Sequence, residues 1–158
     1  MSSAQNVFEQ LLQQGHILVT AESCTGGMVA AVITDIAGSS AVFDRGFVTY
    51  SNVAKHQMLG VPNVLLETHG AVSEAVAKAM AQGALKHSNA TIAISITGIA
   101  GPTGGSETKP VGLVHFCCST LKYGDRHERK VFSGDRARVR ASACEHALSM
   151  VYQTLLLG

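Results

Sequence analysis

Two rhythms of apolar and polar positions alternate along the chain. From Asn6 to Gln14, Val7, Phe8, Leu11 and Leu12 fall on one stripe at helical spacing, and Gly15 ends it. His16-Ile-Leu-Val-Thr20 follows as a short, largely apolar run, the mark of a buried strand. Beyond the small polar segment 21–27, Met28 to Ile33 predicts a packed helix. Val42 to Tyr50 mixes β-branched and aromatic residues around Gly46 and predicts a second strand. Ser51 then stands as the N-cap of a short helix carrying Lys55, Met58 and Leu59, which Val61-Pro62 breaks. Asn63 to Glu67 predicts a further short turn. A longer helix runs from the Ser73 cap to about Lys86, with acidic Glu74 in its first turn.

Thr91 to Thr97 is a third strand of the continuously buried kind, and it feeds the glycine-rich stretch 98–105. Val111 to Thr120 and Arg126 to Phe132 predict two more strands, joined as a hairpin through Lys-Tyr-Gly-Asp. Ser133-Gly-Asp-Arg opens a terminal helix with Val139, Ala143, Ala147 and Val151 on its apolar face. Strands alternating with helices, plus one hairpin, predict a three-layer α/β/α sandwich with a mostly parallel sheet. At least one strand must be antiparallel, because a two-strand hairpin cannot be parallel. With no repeat or linker in 158 residues, the expectation is a single domain over 1–158.

Composition narrows the function classes. Charged residues make up 15% of the chain and leave a formal charge of only +1, so there is no global electrostatic reason to bind nucleic acid. No apolar run approaches the roughly 20 residues of a membrane span, and the first residues have neither a basic nor an apolar targeting region. The four cysteines (24, 117, 118, 144) form no CxxC pair that could hold zinc, and Cys117 and Cys118 are expected on opposite faces of one strand. These features predict a reduced, cytoplasmic protein without a metal or cofactor.

In open α/β sheets ligands bind outside the carboxyl ends of the strands. Three segments rich in glycine and small polar residues emerge there: 21–27, 49–55 and 97–105. In the first, Ser23 lies in a tight strand-to-helix turn, and backbone amides at Thr25, Gly26 and Gly27 could stabilise an oxyanion. A helix cap is the plain alternative for Ser23 or Thr25, and Cys24 is either a rival nucleophile or a small apolar filler. No histidine pairs obviously with an acid in a loop, although His56 and His69 stay open. Lys55, one helical turn after Tyr50-Ser51, could act as a general base if neutral, with Tyr50 orienting the proton; otherwise it is a solvated surface lysine. The 98–105 loop fits neither GxxxxGK[ST] nor GxGxxG, and is either an anion-binding nest or a generic loop. Arg136, Arg138 and Arg140 suit phosphate binding or a solvated helix face.

The residues resemble the CinA C-terminal domain family. The motifs are Ala-Glu-Ser-Cys-Thr-Gly-Gly (21–27), Val-Thr-Tyr-Ser-Asn-x-x-Lys (48–55), His-Gly-Ala-Val-Ser-Glu (69–74), Ile-Thr-Gly-Ile-Ala-Gly-Pro-x-Gly-Gly (96–105), Lys-Pro-Val-Gly (109–112) and Phe-Ser-Gly-Asp-Arg (132–136). They run in order over about residues 6–155, and the likeness is greatest to the family's stand-alone nicotinamide-nucleotide amidohydrolases. The resemblance implies a mixed five-stranded sheet and hydrolysis of nicotinamide mononucleotide (NMN) to nicotinate mononucleotide and ammonia. It further implies Ser23 as nucleophile, Lys55 as base and Tyr50 as a partner in the proton network. Thr97, Gly98 and Gly101 would then contribute to the substrate pocket, and Arg136, or instead Arg138 or Arg140, would meet the phosphate. The expected partner is the small molecule alone, with a homo-oligomeric enzyme and neither nucleic acid nor membrane. The rival expectation is a non-catalytic, nucleotide-binding regulatory module, which could dispense with Lys55 and Tyr50.

Overall fold

The computed structural model describes residues 1–158. Strands β1 (Leu18–Glu22), β2 (Phe43–Val48), β3 (Ile92–Gly98), β4 (Leu113–Thr120) and β5 (Gly124–Val131) form one sheet in the order β2-β1-β3-β4-β5. β1 pairs in parallel with both β2 and β3, while β4 is antiparallel to β3 and β5. Four strands therefore point one way and β4 alone returns, as the hairpin requires.

Helices α1 (Ser3–Gln14), α2 (Met28–Thr34) and α6 (Arg136–Leu155) cover one face. Helices α3 (Asn52–Leu59), α4 (Asn63–His69) and α5 (Glu74–Lys86) cover the other. Each strand divides its side chains between the two layers. Ile92, Ile94 and Ile96 join the α1/α2/α6 core, Ala93 joins the α5 core, and Cys117 and Cys118 part to opposite faces as predicted. The local signals act at their own positions: Gly15 caps α1, and the hydroxyls of Ser51 and Ser73 accept from the amides of Ala54 and Val76.

Several boundaries differ from the pattern reading: β2, β4 and β5 (Phe43–Val48, Leu113–Thr120, Gly124–Val131) shift by one or two residues, α1 starts three residues early, and three further differences have a visible cause. β1 starts and ends two residues later than His16–Thr20, because Glu22, though charged, is fully buried and continues the strand. Residues 63–69 form a helical segment (α4) longer than the predicted turn, seated on the core by Leu66. Asp135, not Ser133, caps α6, its carboxylate accepting from the amide of Arg138.

Two details place the site. The parallel register sets Glu22 beside both Val48 and Ile96, so the segments after β1, β2 and β3 leave the sheet at one level. The end of α3 lies directly on α5, where a methyl group added at Gly83 would collide with the Leu59 carbonyl. That close approach brings α3 down over the strand ends.

Candidate active site

Ser23 is the first residue beyond β1. Its amide donates to the Ile96 carbonyl (2.9 Å), and its own carbonyl accepts from Gly26 (3.0 Å), which closes a tight turn. Gly26 and Gly27 take φ of +58° and +105°, a backbone region unfavourable for other residues, so the turn depends on glycine there. Continuing the strand alternation sends Glu22 toward α2 and Ser23 toward the α3–α5 layer. From that layer Lys55 descends. It shares the inward side of α3 with Leu59 and is only 1% exposed.

Lys55 Nζ lies 3.1 Å from Ser23 Oγ, 3.0 Å from the Thr49 carbonyl and 3.4 Å from the Tyr50 carbonyl. No carboxylate approaches it, so burial without a counter-ion holds its pKa below the ordinary lysine value. A neutral amine has two N–H donors and one lone pair. As an ammonium Lys55 donates to Ser23 Oγ; once neutral, with its donors on the two carbonyls, it would leave the lone pair for the Ser23 hydroxyl. Cys24 beside it is 5% exposed, and burial raises its thiol pKa to about 11, so it stays protonated near neutral pH and is a poor nucleophile.

These groups open into a cavity of about 190 Å³ lined by Ser23, Tyr50, Lys55, Thr97, Gly98 and Arg136, with Cys24, Asn52, Ala71, Val72 and Ala100 completing its wall. Thr97 is held by donating its hydroxyl to the Ala71 carbonyl (2.9 Å). Arg136 sits at the rim, donating to the Gly101 carbonyl and to the Tyr50 hydroxyl (2.9 Å each). Both acceptors are neutral and no acidic residue lines the cavity, so the guanidinium charge faces it unpaired. A larger concavity of about 600 Å³ runs along α6 past Ser142, His146 and Ser149. There the imidazole is tied to Glu128 (2.7 Å) and bonds to neither of those serines, and no lysine or cysteine lines the groove.

Several predicted residues stand elsewhere. Tyr50 meets Lys55 only through its carbonyl, while its hydroxyl is on Arg136. Thr25 is fully buried and donates to the Glu22 carboxylate (2.6 Å). Arg140 points to the Cys24 and Thr25 carbonyls (3.0 and 3.3 Å) behind the turn, because those carbonyls supply the acceptors that its fork needs. Gly26, Gly27 and Gly101 shape the backbone without lining the cavity. The α2 amides are not free for an oxyanion, since the Glu22 carboxylate takes those of Val29 (3.0 Å) and Ala30 (3.1 Å). Pattern reading overlooks Asn52 and Glu22. Asn52 lies three residues before Lys55 on α3, and Glu22 has strand parity opposite to Ser23; those spacings are the available signals.

The chain is 55% identical over 156 residues to the nicotinamide-nucleotide amidohydrolase PncC of Escherichia coli K12, covering 99% of this chain and 94% of that one. A putative competence-damage inducible protein of Caldicellulosiruptor saccharolyticus is 55% identical over 150 residues, 95% of this chain and 36% of the longer relative. The crystal structure of competence/damage inducible protein CihA from Agrobacterium tumefaciens superposes with a TM-score of 0.94 at 46% identity, covering 97% and 93% of the two chains. The model of the CinA C-terminal domain matches residues 1–155, and the chain belongs to that family.

Proposed function

We propose that this chain is a serine amidohydrolase that removes the carboxamide nitrogen of NMN, giving nicotinate mononucleotide and ammonia. The observation that carries the reading is the 3.1 Å approach of a buried lysine, without a counter-ion, to the Ser23 hydroxyl at the strand ends. The full-length likeness to the Escherichia coli amidohydrolase supports the substrate.

Neutral Lys55 takes the Ser23 proton as Oγ attacks the carboxamide carbon. The tetrahedral oxyanion needs hydrogen-bond donors, and the resulting Lys55 ammonium returns the proton to the departing nitrogen, which leaves as ammonia. A water enters and gives one proton to Lys55 as its oxygen attacks the Ser23 ester; Lys55 returns that proton to the departing Ser23 Oγ, and the product acid ionises to the carboxylate. The substrate's pyridinium ring withdraws electrons from the carboxamide and, close to Lys55, disfavours the ammonium. A 190 Å³ cavity is smaller than usual ligand pockets of about 300–1,000 Å³, so it suits the pyridine end. The ribose and phosphate then extend over the rim, where the unpaired Arg136 charge meets the phosphate.

Incubation with NMN and an ammonia readout tests the proposal. Wild type should release ammonia, and Ser23→Ala should release about 1,000-fold less, or none, while remaining folded. NMN binding without ammonia would place the chain among non-catalytic nucleotide modules instead.

A further inference from the structure

Behind the nucleophile turn lie two side chains, Glu22 and Arg140, that the reaction sequence above does not use. Glu22 is fully buried. Its carboxylate forms no ion pair and is satisfied by the Thr25 hydroxyl and the Val29 and Ala30 amides. Gly27, the residue preceding α2, has no side chain to cap that helix, so Glu22 caps it from the strand. Arg140, half-buried on α6, takes the Cys24 and Thr25 carbonyls from outside.

In a planar trans peptide the carbonyl and the following N–H point in opposite directions. Holding the Cys24 carbonyl toward Arg140 therefore turns the Thr25 amide away from it. Holding the Thr25 carbonyl does the same for Gly26, whose amide closes the turn onto Ser23. The Cys24 amide bonds to no other residue and meets only its own thiol, and Cys24 lines the cavity, whereas Thr25 is fully buried. Because the Ser23 carbonyl is held by Gly26, the Cys24 amide of the same peptide points the other way. We infer that Glu22 and Arg140 are positioning residues: together they hold the 23–27 turn so that the Cys24 amide, on the cavity wall, receives the oxyanion while Ser23 faces Lys55.

This inference rests on the Ser23–Lys55 reading but not on the identity of the amide substrate, and its test separates the two. A fluorophosphonate probe labels an activated serine: the Ser23 Oγ–P bond forms, the P–F bond breaks, fluoride leaves and Lys55 takes the proton. The phosphoryl oxygen needs the same donors as the oxyanion. Second-order labelling rates are measured for wild type, Glu22→Gln, Arg140→Met and Arg140→Lys, with Ser23→Ala as the blank. NMN kinetics follow for the same proteins. Glu22→Gln and Arg140→Met should label about 10-fold more slowly and lose kcat by a similar factor. Their KM should change by less than about twofold, and the apparent pKa of the rate should stay put, since Lys55 keeps its surroundings. Arg140→Lys, which keeps one donor, should recover part of the loss. Should Glu22→Gln fail to fold, Arg140→Met carries the same comparison. Folded variants that label at the wild-type rate, or whose rate pKa shifts with the loss, overturn the inference. Wild type that labels at Ser23 but leaves NMN intact overturns the substrate alone.

Discussion

At the carboxyl ends of β1 to β3, Lys55 is buried among neutral oxygen atoms, whereas in the antiparallel half of the sheet His115 begins a chain of hydrogen bonds leading out to a carboxylate. His115 Nδ1 meets His127 Nε2 at 2.8 Å, His127 Nδ1 meets Glu74 at 3.0 Å, and Glu74 accepts from Lys78 at 3.0 Å. The Glu74 carboxylate sets the tautomer: His127 donates from Nδ1, accepts at Nε2, and His115 donates to it. Burial lowers both bases, with the His115 pKa pushed down to about 4 from an ordinary 6.5. The consequences differ. A neutral Lys55 has a lone pair directed at a hydroxyl in an open cavity, while a neutral His115 spends its N–H on another imidazole. Desolvation makes a base available only where its lone pair meets something that can react.

The comparison breaks most severely at Lys55. Lys55→Arg keeps a donor for the carbonyls but removes the lone pair, because a guanidinium does not deprotonate. Ammonia release should fall by about 100- to 10,000-fold, the usual contribution of a general base. In the unaltered protein kcat should rise with pH and level off above an apparent pKa below the ordinary 10.5 of lysine, since deprotonation activates. Activity retained by Lys55→Arg, or a rate independent of pH, would remove the lysine from the mechanism.

The histidine chain should register in stability rather than turnover. Between pH 6.5 and about 4 the unfolded chain holds a proton at His115 that the native fold refuses. Stability is therefore fully present above about 6.5 and lost as pH falls toward 4, by about 3 kcal/mol if this group acts alone. Glu74, Glu128, Lys78, Lys109 and Arg129 surround the pair, and the two carboxylates oppose the downward shifts. Denaturant titrations of His115→Asn across that window should show a flatter pH dependence, with kcat at pH 8 within about twofold of wild type. An unchanged acid slope would put the sensitivity elsewhere.

A smaller effect belongs to Tyr50. Tyr50→Phe removes the hydroxyl that accepts from Arg136 but leaves the carbonyl that accepts from Lys55. KM for NMN should rise by about two- to fivefold, as loss of one exposed hydrogen bond allows, with kcat nearly unchanged. A large drop in kcat would return the phenol to the proton path.

Residues whose roles are local are legible in the amino-acid order. Gly15 and Ser51 act within a turn or two of chain, and the alternation that separates Cys117 from Cys118 needs only the strand period. Lys55 is ambiguous there because a lysine on a short helix reads as solvated. Its burial comes from α3 lying on α5 at Gly83, a contact between residues remote in sequence. Arg140 reads as a substrate ligand because its acceptors, Cys24 and Thr25, lie more than 110 positions away. Glu22 suggests no role because a buried carboxylate looks costly until the α2 amides that satisfy it come into view.

From the order of residues alone come the alternation of strands and helices, the hairpin that forces one antiparallel strand, and the small-residue segments that leave β1, β2 and β3. These depend on side-chain period and backbone preference, which act over a few residues. Tertiary structure decides which of those segments meet and in what state of charge. The level register of Glu22, Val48 and Ile96 gathers them, and the exclusion of water and acids around Lys55 sets the state of its amine. Solvation and proximity are properties of the packed chain, so no local reading could assign them.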